Sequence, residues 1–414
     1  MEEKKTEEGD EENPPLSRKD TPMVNNEEEK TVEEEEKEDG SPVKKAAPGT
    51  LDLLEKLFLF LDTPENEQVN PVLAGYFSKL INIFINKKPK NIYSYMYSNP
   101  TLLEKMVRHT YSKSISEVLV KFLTYEEQEG ELADLDVPAQ KNRLLTLLID
   151  KLGPNETEED NLNAQDILVE LTDTKPLLEH LMTRDNLLKT IGFLQSNKQS
   201  SQIAALQLLN AIAGHCKGLL AKKPDEEGKE GEQEEDRSAK SMVALLSNQL
   251  EFVVKLLDGQ APVPENDTAT YGYAIKPFGL LRLRVVEFLN SVVLLQSNEL
   301  LEVLKKNNVF ATLLQFLQDY PWNNMLHMKI NTIFEEILKN QEARVSIVKN
   351  SGILEKLIEM GDEPEFKFPS DRPQRHGYMS FVISLSNIIC KTDDLKEVCE
   401  ETPAWEKYKN EQLF

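Results

Sequence analysis

The chain has 414 residues, 72 acidic against 48 basic, a formal net charge of −24 and an isoelectric point near 4.8. So acidic a molecule gains nothing by approaching a phosphate backbone or an anionic bilayer, and it has none of the ~18-residue apolar runs that a membrane span needs. Nucleic-acid binding and membrane insertion are therefore not expected. The three cysteines, Cys216, Cys390 and Cys399, have no CxxC spacing. They fit a reducing compartment and argue against a disulfide framework or a zinc site. The opening MEEKKTEEGDEE is the opposite of a secretory signal, so a soluble cytoplasmic or nuclear protein is expected.

Residues 1–50 carry 17 acidic and 8 basic side chains and almost no large apolar ones. Such a segment cannot bury enough surface to offset its ordering entropy, and an acidic disordered tail is expected. Thr21–Pro22 and Ser41–Pro42 beside its acidic runs make Thr21 and Ser41 candidate phosphorylation sites. A helical domain is expected over 51–410. A helix start is marked at Asn70–Pro71, a capping residue before a proline suited to the first helical position. Leu73, Phe77, Leu80, Ile81 and Phe84 are its expected core residues, and Gly75 would let a neighbouring helix approach closely.

Asn99–Pro100 marks a second helix start, and 200–216 and 248–257 show apolar residues recurring at three and four. The polar island at 222–240 reads as a disordered loop, and the stretch from Gly259 to Lys276 is broken by Pro262, Pro264 and Gly272. Further on, 307–317 is again helical, and Tyr320–Pro321 looks like another helix start. Residues 303–314, VLKKNNVFATLL, match residues 347–358, IVKNSGILEKLI, at a constant offset of 44. That period lies within the about 40–47 residues of armadillo and HEAT repeats. The expected class is all-α: a curved α-solenoid of about six or seven irregular armadillo/HEAT-like repeats sharing one core.

No phosphate loop, GxSxG elbow or HExxH helix occurs, and His109, His180, His215, His327 and His376 lack ligand spacing. Neither an enzyme nor a cofactor is expected. Trp322 with Asn323 and Asn324 either seals a repeat junction or lines a peptide groove, as Trp–Asn pairs do in armadillo transport receptors. There the pairs form an array, whereas here the pair occurs once. Arg282 and Arg284, two apart on a helix, do not share a face. Either one is exposed while the other pairs with a carboxylate, or they form a basic spot for an acidic partner.

Five segments, in order, resemble the SAPS family, regulatory subunits of protein phosphatase 6 and its fungal counterpart. They are NPVLAGYFSKLINIFINKKP from Asn70, NPTLLEKMVRHTYSKSISEVLVKFL from Asn99, PFGLLRLRVVEFLNSVV from Pro277, YPWNNMLHMKINTIFEEIL from Tyr320 and RHGYMSFVISLSNII from Arg375. Met325 stands where the family usually has Phe. The resemblance implies a non-catalytic scaffold that binds a Ser/Thr phosphatase catalytic subunit and directs its substrate choice or location. The alternative is a helical-repeat adaptor for transport or cytoskeletal partners. On exposure and resemblance, Asn70, Tyr76, Lys79, Arg282, Arg284, Trp322, Asn323, Asn324 and His327 are the candidate partner-binding residues. Against the family pattern, the usual N-terminal helices are expected to be shortened or replaced by the acidic tail, and the long polar C-terminal extension of many members is expected to be missing. Docking that relied on those helices would be weakened.

Overall fold

The structure, a computed structural model, describes residues 48–64, 67–126, 132, 134–217, 230–259, 276–363, 366–367 and 373–413. Most of the expected acidic tail, with Thr21 and Ser41, lies outside the described residues, as do 222–229 and 260–275. The chain divides into two compact units, residues 1–51 and 52–414. Of the first, only the opening turn of α1 is described.

Helix α1 (Pro48–Phe58) runs into a 3-10 turn, Leu59–Leu61, followed by α2 (Pro71–Lys87), α3 (Pro89–Ser98), α4 (Pro100–Arg108) and α5 (Lys113–Leu123). Next come α6 (Val137–Asp150), α7 (Glu158–Leu171), α8 (Lys175–Leu181), α9 (Arg184–Phe193), α10 (Gln199–Cys216) and α11 (Glu230–Lys255). The third stretch holds α12 (Leu280–Leu294), α13 (Asn298–Lys306), α14 (Val309–Asp319), α15 (Asn324–Lys339), α16 (Arg344–Asn350) and α17 (Ile353–Gly361). It closes with α18 (Met379–Lys391), α19 (Lys396–Glu400) and α20 (Pro403–Tyr408). Strands are confined, among the described residues, to one antiparallel pair, β1 (Phe366–Lys367) with β2 (Pro373–Gln374). The class is all-α.

The helices of the second unit stack in sequence. In one layer α2, α5, α7, α10, α12, α15 and α18 each pack on the next, giving seven rungs among the described residues. In the other, α4 packs on α6, α6 on α9, α9 on α11 and α11 on α13, and α14 on α17 and α17 on α20. Apolar faces of neighbouring rungs merge into one continuous core, as a helical-repeat solenoid requires. Polar ties also cross from rung to rung. The Asn163 amide donates to the Thr110 and Tyr111 carbonyls at 2.8 and 3.0 Å, and Ser291 Oγ donates to Asn210 Oδ1 at 2.6 Å.

The 44-residue repeat is visible in the backbone. Asn308 (φ 55°) precedes α14 and Gly352 (φ 63°) precedes α17, both in the left-handed region that breaks a helix cleanly from the next. Matching buried pairs, Val309–Phe310 and Ile353–Leu354, then open α14 and α17.

Local signals explain most helix starts. The Asn70 side chain accepts from the Val72 and Leu73 amides at 3.0 and 3.2 Å, capping α2 ahead of Pro71. Two expectations are corrected. Tyr320–Pro321 does not start a helix but forms a turn, the Asn323 amide donating to the Tyr320 carbonyl at 3.1 Å. Asn323 is the cap, accepting from the Leu326 amide at 3.1 Å, so α15 begins at Asn324. Residues 230–240, expected as loop, form the first turns of α11. Glu, Gln, Arg, Ala and Lys are good helix formers, and acidic residues suit a helix N-terminus, so polarity alone misleads there.

Candidate partner-binding surface

The candidate residues fall at two places in the ladder. Asn70, Tyr76 and Lys79 lie on α2, the first rung. Arg282, Arg284, Trp322, Asn323, Asn324 and His327 gather around the starts of α12 and α15, the fifth and sixth rungs.

At the second place, Phe278, at the end of the segment leading into α12, and Tyr320, in the turn before α15, are both buried. Arg282 is driven between them. Its Nε donates to the Phe278 carbonyl and its Nη2 to the Tyr320 hydroxyl, both at 2.7 Å. The guanidinium lies 4.4 Å from the Phe278 ring centre and 5.3 Å from that of Tyr320. At 6% exposure Arg282 is a clamp inside the fold, not a contact for a partner. The desolvated cation is compensated by two hydrogen bonds and by aromatic faces. Arg284 turns the other way, as the two-residue spacing requires, and meets Glu287 at 2.6 Å. With its amide turned so that the oxygen faces the guanidinium, Gln207 on α10 accepts from Arg284 Nη1 at 3.0 Å. Lys329 on α15 lies 3.6 Å from the same Glu287, so these charges tie α12 to its neighbours.

His327 is equally inward, 6% exposed, with Nε2 donating to the Tyr320 carbonyl at 2.8 Å. Burial pulls its pKa below the usual value, and the Tyr320 carbonyl partly offsets this. The segment before α18 closes over it. Tyr378 is fully buried and meets the His327 ring edge-on at 6.3 Å; His376 stacks on Tyr378 at 5.2 Å, with Trp322 6.3 Å from His376. Gly377 makes the closure possible, because a Cβ there would stand 2.5 Å from the Pro321 carbonyl oxygen. Three sequence segments that are far apart in the chain thus meet at one corner. Trp322 serves the junction between rungs and is half-buried, while Asn323 is used up as a cap. Asn324, Met325, Met328 and Leu280 are exposed to solvent at this corner, as are the basic side chains of Lys276 and Arg375.

On α2 the arrangement is different. Ala74, Phe77, Ser78 and Ile81 form the buried side, Phe77 meeting Phe58 edge-on at 5.5 Å. Leu73 and Leu80, expected in the core, are instead 52% and 45% exposed. They join Val72, Tyr76 and Ile83, between 54% and 63% exposed, on the opposite side of the helix. The helix is apolar on two faces, and among the described residues only one is covered. Gly75 does not serve close packing, since a Cβ there would meet nothing within 4 Å. Lys79 extends over the Tyr76 ring at 5.8 Å.

The start of α2 is braced from behind. The Val69 amide donates to the Tyr111 hydroxyl at 2.9 Å, which donates to His109 Nδ1 at 2.9 Å; His109 Nε2 donates to the Leu61 carbonyl at 2.8 Å. Both ring nitrogens are engaged in the neutral form, and burial is the main cause lowering the His109 pKa. Arg108 Nη2 adds bonds to the Leu61 and Thr63 carbonyls at 2.8 and 3.0 Å. Burial pushes the Cys216 and Cys399 thiols up to about 11, away from thiolate chemistry at neutral pH.

Sequence reasoning passed over Met328, Leu280 and Gly377 as contributors to these two places. One usable signal was there: residues 68–103 contain four lysines and not one acidic residue, in a chain with 72.

Residues 81–414 match the family model described as SAPS, SIT4 phosphatase-associated protein. Among curated proteins, the chain is similar to serine/threonine-protein phosphatase 6 regulatory subunit 3-B of Xenopus laevis, 24% identical over 81% of this chain and 43% of that one. It is also similar to regulatory subunit 3 of Gallus gallus, 23% identical over 87% of this chain and 46% of that one. Regulatory subunit 1 of Mus musculus is 22% identical over 86% of this chain and 47% of its own length. The matched region thus spans less than half of each of these relatives.

Proposed function

The chain belongs to the SAPS family, and from that premise we propose that it is a non-catalytic regulatory subunit of a Ser/Thr protein phosphatase of the protein phosphatase 6 type. It binds the catalytic subunit and directs its substrate choice or location. The observation that carries this reading is the family match over 81–414, which runs from within the first rung of the ladder to the end of the chain. The architecture supports it, because a stack of rungs offers long outer faces on which a second protein can be held. The corner where α12, α15 and the segment before α18 meet is the proposed seat of the catalytic subunit. Three of the family-like segments build it, and Leu280, Met325 and Met328 leave apolar surface there in contact with water.

The cytoplasm, with the nucleus as a second location, is the compartment this reading assigns. The unpaired state of Cys216, Cys390 and Cys399 supports it. In addition, no helix among the described residues is long and apolar enough to cross a membrane.

The test is affinity recovery of the tagged chain from its own cell extract, followed by mass spectrometry and by assay of protein-phosphatase activity in the eluate. A Ser/Thr phosphatase catalytic subunit is expected with the wild type and is reduced about ten-fold or more for Met325→Asp/Met328→Asp, by loss of apolar contact. Recovery of transport or cytoskeletal proteins with no phosphatase would overturn the reading in favour of an adaptor.

A further inference from the structure

We propose that the outward face of α2 is a docking site for an acidic amphipathic helix of a partner protein. Val72, Leu73, Tyr76, Leu80 and Ile83 recur at helical spacing and form one continuous apolar stripe, all of them at least 45% exposed. Scattered exposed apolar residues need no explanation, but five on one face of one helix do. The opposite side of α2 is already engaged, with Ala74, Phe77 and Ile81 in the core, so the stripe is additional to what the fold consumes. From Leu73 onward successive residues are three or four apart, with Val72 one turn before Tyr76, and that spacing is what a second helix reads when it lies along a first.

Charge decides the kind of helix. Residues 68–103, covering all of α2 and α3, hold Lys79, Lys87, Lys88 and Lys90 and no aspartate or glutamate. Elsewhere the chain is acidic enough to carry −24 overall. Lys79, Lys87, Lys88 and Lys90 are all exposed, with Lys79 on the edge of the stripe and Lys87 at its end. An incoming helix with glutamates flanking a leucine seam would bury its seam on the stripe and set its carboxylates against these ammonium groups. A basic helix would meet like charge there. The net charge of the protein disfavours an anionic membrane as the occupant, since the bilayer would repel everything beyond this face.

The α2 face lies on the first rung, apart from the corner assigned to the phosphatase, and this proposal stands without that reading because it is tested with no phosphatase present. The probe is a fluorescent synthetic helix with leucines at i, i+4, i+7 and i+11 flanked by glutamates. Its counterpart has every glutamate replaced by lysine, and both are titrated into the full chain at low and high salt. The acidic probe is expected to bind about ten-fold or more tightly than the basic one, with an advantage that shrinks as salt rises. Leu80→Asp/Ile83→Asp, exposed positions that leave the core intact, is expected to abolish binding with an unchanged circular dichroism spectrum. Equal binding of the two probes, or binding that survives the double substitution, would overturn the proposal. A dimer in sedimentation analysis that the double substitution dissolves would assign the face to a second copy of the chain. Co-sedimentation with phosphatidylserine vesicles, lost in the same variant, would assign it to a membrane; either result overturns the partner helix.

Discussion

Arg282 carries a full charge at 6% exposure, and its surroundings account for it group by group. One donor goes to a carbonyl of its own helix approach and one to a hydroxyl 38 residues away, while aromatic rings cover its planar faces. Truncation to alanine would leave the Tyr320 hydroxyl and the Phe278 carbonyl without their donor and empty the slot between the rings. We expect Arg282→Ala to cost about 2–3 kcal/mol, read as a lowered urea midpoint. Arg282→Lys is expected to recover only part of this, because an ammonium neither stacks flat nor spans both acceptors. An unchanged midpoint in Arg282→Ala would mean that the guanidinium is solvated in solution.

At the scale of elements, the corner between α15 and α18 depends on one position without a side chain. A methyl at residue 377 would collide with the Pro321 carbonyl, which is backbone and cannot rotate away. Gly377→Ala is therefore expected to push the Arg375–Tyr378 segment off the turn before α15. The predicted loss is about 1–3 kcal/mol, with a red shift of tryptophan emission as Trp322 gains water. Emission unchanged from wild type would count against the close approach. The elements also show what the sequence can and cannot disclose. Asn70–Pro71 announced α2 because a cap and a proline act within four residues. Tyr320–Pro321 misled by three residues because Asn323, not Tyr320, had the side chain to close the turn. Leu73 and Leu80 were expected inside because periodicity marks a face as apolar without saying whether a neighbour covers it. The burial of Arg282 was hidden because Tyr320, one of its partners, lies 38 residues away and only folding brings the two together.

For the whole molecule, the seven described rungs in series imply that stability is a sum of rung and neighbour terms rather than one shared total. A wound in one rung should be felt next door and fade beyond. Phe288 on α12 is fully buried, and Phe288→Ala removes about 3–5 kcal/mol of packing. Hydrogen exchange followed by mass spectrometry is expected to show faster exchange in α10, α12 and α15, with α2 and α5 protected as before. Uniform loss of protection along the chain would show that the array opens as one cooperative body.

The left-handed residues at 308 and 352 bear on how such a chain can change length. They mark equivalent joints, each followed by a buried apolar pair, Val309–Phe310 and Ile353–Leu354, so the segment between them is a complete unit with matching ends. An in-frame duplication or excision of that one period would join a chain to its own pattern without shifting any apolar residue off its face.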